Sequence, residues 1–292
     1  MSDALDPAHL MGHVKDAEYF EVPRFIAADG HIALPQPLAL SQPLTEANTT
    51  WHIAPLDLRL TKFMVLEVVA AVLMAAIFIW LAGRLRSGHV PRGRLWNLFE
   101  SMLVYIRDQV ARPAIGKHDA DRFLPFLWTL FFFILICNLL GMLPWSGTPT
   151  ASLATTLALA VITFSVVVGS GMAKLGAWGF AKAQVPHMDL PLPMAIILFP
   201  MIFVLEVFGL LVKHFVLAIR LLANMLAGHL VLAVILAFIA QSWGTALIWG
   251  VAPASVFGAM ALSLLELLVA FIQAYVFTVL SALFIGMAVH PH

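Results

Sequence analysis

The chain has 292 residues, 62% of them hydrophobic and 11% charged, with a mean hydropathy of +0.95. Soluble domains are about 45–50% apolar and about 25% charged, so a water-soluble globular protein is excluded. Sixteen basic residues balance sixteen acidic ones, which gives no basic field for a nucleic-acid partner, and the single cysteine, Cys137, excludes an intramolecular disulfide framework.

Residues 1–62 hold eight acids and four bases, with prolines spread along them (Pro23, Pro35, Pro37, Pro43, Pro55). They read as a water-facing N-terminal segment, with no basic flank and small-residue cleavage site of a secretory signal. Residues 63–292 read as the membrane domain. Phe63–Ala82 is the first run long enough to cross, since about 20 residues at 1.5 Å each match the ~30 Å hydrocarbon layer. Glu67 lies near its start, close to the interface.

Residues 83–122 carry eight bases against four acids, which places this stretch on the inner side of the membrane and the N-terminus outside. Within it Leu95, Leu98, Phe99, Met102, Leu103 and Ile106 recur at helical spacing. The spacing predicts an amphipathic interfacial helix; packing on a soluble partner is the alternative. Phe123–Leu143 and Thr150–Ala173 are the second and third spans, joined by a turn over Pro144–Pro149, with Lys174 and Lys182 at the inner exit. A Gly/Pro-rich loop then leads to a hairpin over residues 191–290. Its first arm, Pro191–Ala240, would be roughly 75 Å long if continuous, and its second, Pro253–Val289, roughly 55 Å. Pro200, Gly209 and Gly228 are possible bends in the first arm. The predicted fold is an all-α membrane protein of about five transmembrane helices and one interfacial helix. The last two helices are long, strongly tilted and antiparallel, because excess length is taken up by tilt.

Only seven charged residues follow Arg122, and Glu206, Lys213, Arg220 and Glu266 lie in the hairpin with His214, Asn224, His229 and Gln273. An ionisable group at a helix centre costs about 2.5–3.5 kcal/mol on insertion scales, so these need pairing or water. Glu206, Lys213 and Arg220 recur every seven residues, within about 20° per step of one face, and Asn224 is about 40° from Arg220. A turn near Leu247 sets His229 opposite Glu266 and Arg220 opposite Gln273. His229 is about 180° round from Arg220; either it faces a different cavity, or Gly228 distorts the helix. Glu266 and His229 can exchange protons, whereas Arg220 stays charged in any protein setting. The array reads as two proton paths with a fixed cation between them. Lys213 and His214 are as consistent with snorkelling as with transport, and Asn224 and Gln273 with interhelical hydrogen bonding.

The stretches Ile219-Arg-Leu-Leu-Ala-Asn-Met-Leu-Ala-Gly-His229 and Leu265-Glu-Leu-Leu-Val-Ala-Phe-Ile-Gln-Ala-Tyr275 resemble subunit a of the rotary ATP synthase. Arg220 matches the family's essential arginine, Asn224 its asparagine, Gln273 its last-helix glutamine and Glu206 its inner-channel acid. His229 and Glu266 follow the exchanged arrangement of mitochondrial and alphaproteobacterial members. Val110-Ala-Arg-Pro-Ala-Ile-Gly116 and Asn138-Leu-Leu-Gly-Met-Leu-Pro144 are also family-like, so the resemblance covers roughly residues 95–285. It implies a non-catalytic stator subunit that passes protons through two offset half-channels to and from a c-subunit ring, Arg220 separating them. It also implies peripheral-stalk b subunits as partners, no cofactor or metal, and a bacterial inner membrane, with the mitochondrial inner membrane as the alternative. The competing reading is a cation/proton secondary transporter, against which no internal repeat is visible. Protons suit His229 and Glu266 better than Na⁺ does.

Overall fold

The computed structural model describes residues 16–17, 19–21, 31–35, 61–86, 93–143, 147–184 and 192–290. Most of the segment expected to face water lies outside the described residues. Within it, β1 (Tyr19–Glu21) and β2 (His31–Ala33) pair antiparallel, with Phe20 opposite Ile32.

Helix α1 (Lys62–Arg86) follows. Its first amides lack intrahelical acceptors, and the N-terminal segment supplies two: Lys62 N donates to Ala17 O at 2.8 Å and Phe63 N to Asp16 Oδ1 at 3.2 Å. Among the described residues, five helices are long and apolar enough to cross a membrane: Lys62–Gly83, Ala120–Gly141, Leu153–Leu175, Leu198–Ser242 and Ile248–Val289.

Helix α2 (Arg94–Tyr105) runs into a π-helical turn (Ile106–Ala111) and the short α3 (Arg112–Ile115). The stripe expected on α2 divides into two neighbouring rows. Trp96 and Ile106 are buried and Phe99 and Leu103 pack on the core, whereas Leu95 and Leu98 are exposed. The row that meets the helical core is covered by it, and the other is left for the membrane boundary.

Helix α4 (Ala120–Gly141) is the centre of the packing, with Leu127 and Ile134 fully buried against a core that includes Phe277 and Ile285. A 3₁₀ turn (Pro149–Ala151) precedes α5 (Leu153–Leu175), so the third span begins three residues later than expected. Within that turn the Thr150 hydroxyl donates to Asn138 Oδ1 of α4 at 2.7 Å. The Gly/Pro-rich loop contains a helix that sequence analysis missed, α6 (Ala177–Ala183). Phe180 seats its ring over Gly171 of α5, where a side chain would occupy the same space. This tertiary contact has no local signal.

Helix α7 (Leu192–Ser242) stays α-helical through Pro200, Gly209 and Gly228. The turn to α8 (Ile248–Val289) uses Gly244 at φ 83°, a left-handed conformation that favours glycine. Helix α8 starts five residues before Pro253; the carbonyl that proline leaves without an amide belongs to Trp249, which is exposed. At the inner end, Asp119 Oδ2 accepts a hydrogen bond from Lys174 Nζ at 2.6 Å and lies 3.1 Å from His290 Nε2. That contact joins the start of α4 to the ends of α5 and α8. The Lys174 hydrogen bond, with His290 beside it, holds the Asp119 carboxyl below the usual carboxylate range.

Candidate functional site: polar groups along the α7–α8 hairpin

The hairpin carries its polar groups at three levels, and α7 is the ruler for all of them. Glu206 lies about 21 Å from Arg220 toward the N-terminal end of the helix and His229 about 13 Å from it toward the C-terminal end; the two sides are called inner and outer after the orientation expected from the sequence.

At the inner level, Glu206 and Lys213 are both exposed and line a cavity of about 270 Å³ with Gln184 and His290. Among the described residues neither Glu206 nor Lys213 has a hydrogen-bond or ion-pair partner, which leaves the carboxylate to the cavity. His214 is elsewhere. It is buried between Phe164 of α5 and Phe284 of α8, ring centroids 5.3 and 4.9 Å away. Its Nδ1 reaches Leu210 O at 2.9 Å and its buried Nε2 has no partner. The two neighbours therefore divide: Lys213 borders the polar cavity and His214 packs in the core.

At the middle level Arg220 is half-buried, with no hydrogen-bond or ion-pair partner among the described residues. On the side of α7 that carries it, Val216 and Val212, about 40° and 80° round from it, are exposed, and Leu264, Leu268 and Phe271 of α8 are exposed farther along, toward the outer level. Only 11% of the apolar window of this α7 span is covered by its own chain, against 50% for the α8 span.

One turn on, Asn224 Nδ2 donates to Oε1 of the buried Gln273 at 2.9 Å. The expected pairing of Arg220 with Gln273 is thus corrected: the partner is Asn224, one turn farther along. Counting outward from the turn treats the helices as straight and parallel, and side chains also lean toward their helix N-termini.

At the outer level the register is corrected by a single residue. Gly228, not His229, lies against Glu266: a Cβ on Gly228 would stand 3.2 Å from Glu266 Cγ and Cδ and closer still to Oε1. The missing side chain is the space the carboxyl group occupies. His229, 100° farther round an unbroken helix, hydrogen-bonds through Nε2 to the Thr148 hydroxyl. Of the two explanations for its position, the separate face holds, and Gly228 produces no distortion. Gly228→Ala is expected to rotate the Glu266 carboxyl out of its place and lower the rate of a process that uses it severalfold, at unchanged protein level in the membrane. A variant as active as the parent would show that this placement is functionally irrelevant.

Sequence reasoning missed Thr148, Thr150 and Asn138. Thr150 Oγ1 donates to Asn138 Oδ1 at 2.7 Å, and Asn138 Nδ2 to Ala270 O of α8 at 3.3 Å. All three side chains are buried. The only available signal was an asparagine and two threonines among apolar neighbours.

Residues 64–286 match the family model described as ATP synthase A chain. The chain belongs to the ATP synthase A chain family. The ATP synthase subunit a of Myxococcus xanthus (strain DK1622) is 46% identical over 241 residues, which are 81% of this chain and 76% of that protein. The subunit a of Chloroherpeton thalassium (strain ATCC 35110 / GB-78) is 41% identical over 243 residues, 82% of this chain and 69% of that one. That of Anaeromyxobacter sp. (strain Fw109-5) is 35% identical over 306 residues, 98% of this chain and 71% of that one. The chain is a multi-pass helical membrane protein, and the relatives named above are all bacterial. Its matched region includes Glu206, Arg220, Asn224, Gly228, His229, Glu266 and Gln273, while His290, β1 and β2 fall outside it.

Proposed function

We propose that this ATP synthase A chain is the stator subunit that conducts protons through two offset half-channels. The observation that carries the reading is Arg220: a permanent cation deep in an apolar helix, half-buried, without an anionic partner among the described residues, beside an uncovered apolar face. A charge in such a place costs about 2.5–3.5 kcal/mol on insertion scales. A carboxylate presented by a c-subunit ring packed on that face would offset the cost each time it passed.

A proton reaches the outer level at His229 and Glu266 and transfers to a ring carboxyl, which becomes neutral and able to face lipid. After nearly a full turn the carboxyl meets the inner cavity and releases the proton toward Glu206. Arg220 draws the emptied carboxylate into its ionised form, and its own charge repels a proton crossing directly between the two levels. Asn224 and Gln273 line the passage between Arg220 and Glu266. The subunit performs no ATP chemistry itself. Peripheral-stalk b subunits hold it still, and its setting is a bacterial inner membrane.

Affinity capture of the chain from membranes in mild detergent tests the assembly. A small two-helix proteolipid is expected to co-purify in several copies per chain. Its consistent absence, with the chain intact and folded, would remove the rotor from this account.

A further inference from the structure

The family-like stretch Asn138–Pro144 has no part in the mechanism above, yet its first residue and Gly141 seat a turn that reaches His229 directly and, through Asn138, the turn of α8 that follows Glu266. Thr148 packs where a side chain on Gly141 would be, and its fully buried hydroxyl bonds to Nε2 of His229. Two residues later, Thr150 bonds to Asn138, and Asn138 to the carbonyl of Ala270. Ala270 is four residues after Glu266, one turn along the same helix.

We propose that the Thr148–Thr150 turn is a positioning element for the outer proton site, in which Thr148 fixes the ring of His229 and Thr150, through Asn138, fixes the level of α8 that carries Glu266. The inference rests on the reading of His229 as a proton carrier. With Nε2 held by Thr148, Nδ1 is the nitrogen left to take up and release a proton, and it has no partner among the described residues. A histidine ring reorients easily about two torsions; a single hydrogen bond from a buried, braced hydroxyl selects one orientation and one exchanging nitrogen. Other ionisable groups around the turn are Glu266 opposite Gly228, Glu67, which accepts a 2.6 Å hydrogen bond from Thr155, and Lys62 beside Gly147. Thr148 is a positioning residue and carries no proton itself.

The test uses the whole ATP synthase in inverted membrane vesicles, with proton-driven ATP synthesis measured from about pH 5 to pH 8, the range over which a histidine exchanges protons. Thr148→Val is expected to lower the rate by up to about a hundredfold, the scale of a reacting group misplaced by ~1 Å, and to displace the pH optimum. Thr148→Ser, which keeps the hydroxyl, is expected to restore both. If Thr148→Val does not assemble, Thr148→Ala is compared with Thr148→Ser in its place. Equal losses in the hydroxyl-bearing and hydroxyl-lacking variants, or an unmoved pH profile, would overturn the positioning role. His229→Ala in parallel separates the two layers. A silent Thr148→Val beside a strongly impaired His229→Ala overturns only this inference, whereas an unimpaired His229→Ala overturns the proton-carrier reading beneath it.

Discussion

Arg220→Ala is expected to abolish proton-driven ATP synthesis in membrane vesicles while the complex still assembles. The assembly half of that expectation follows from the geometry: Arg220 makes no hydrogen bond or ion pair among the described residues, so its removal breaks no internal tie. The functional half follows from its charge. Without a fixed cation between the inner cavity and the His229–Glu266 level, a ring carboxyl has no reason to ionise as it arrives, and a proton meets no repulsion between the two levels. Arg220→Lys is expected to fail as well, because a lysine can lose its proton where it is desolvated and an arginine does not. Vesicles of the alanine variant that synthesise ATP at the parent rate under a proton gradient would exclude the separating role.

Glu266→Gln is the second large effect. The amide keeps the size and much of the hydrogen bonding of the carboxyl but cannot exchange a proton, so packing against Gly228 survives and transfer does not. Loss of a positioned acid–base group costs on the order of a hundredfold in rate. Passive proton flux is expected to stay low, since Arg220 is untouched; this distinguishes the variant from Arg220→Ala. Synthesis unchanged at every pH would take Glu266 off the path.

The long elements were legible in the sequence because lipid leaves little choice: an apolar run of 20 residues must satisfy its backbone internally, and the basic residues fix which way it points. The ends of helices α1, α4 and α5 lie within four residues of their expected positions. What periodicity could not deliver was contact-dependent. Helix α6 packs Phe180 on Gly171, and the late start of the third span comes with the Thr150–Asn138 hydrogen bond; neither contact has a local signal. The hairpin groups were recognised by type and spacing, and their order along α7 is as the sequence dictates. Their partners were not: which residue faces Gln273 or Glu266 depends on how two helices cross, and a shift of one to four residues is invisible to counting. Thr148 was invisible for a further reason. A threonine between glycine and proline in a turn looks like turn chemistry, and only the fold brings it to His229.

The length of α7 has a geometrical consequence. If all 45 residues of its membrane span stay within a hydrocarbon layer of ~30 Å, each residue adds only about 0.7 Å of depth instead of 1.5 Å. Arg220 and His229, nine residues apart, then differ by about 6 Å in depth but stand about 12 Å apart in the plane of the sheet of lipid. Glu206 at the inner cavity and His229, 23 residues apart, are by the same geometry about 15 Å apart in depth and about 31 Å apart in the plane. A carrier that exchanges protons with both has to travel sideways, and a slanted helix turns separation along a chain into that horizontal step.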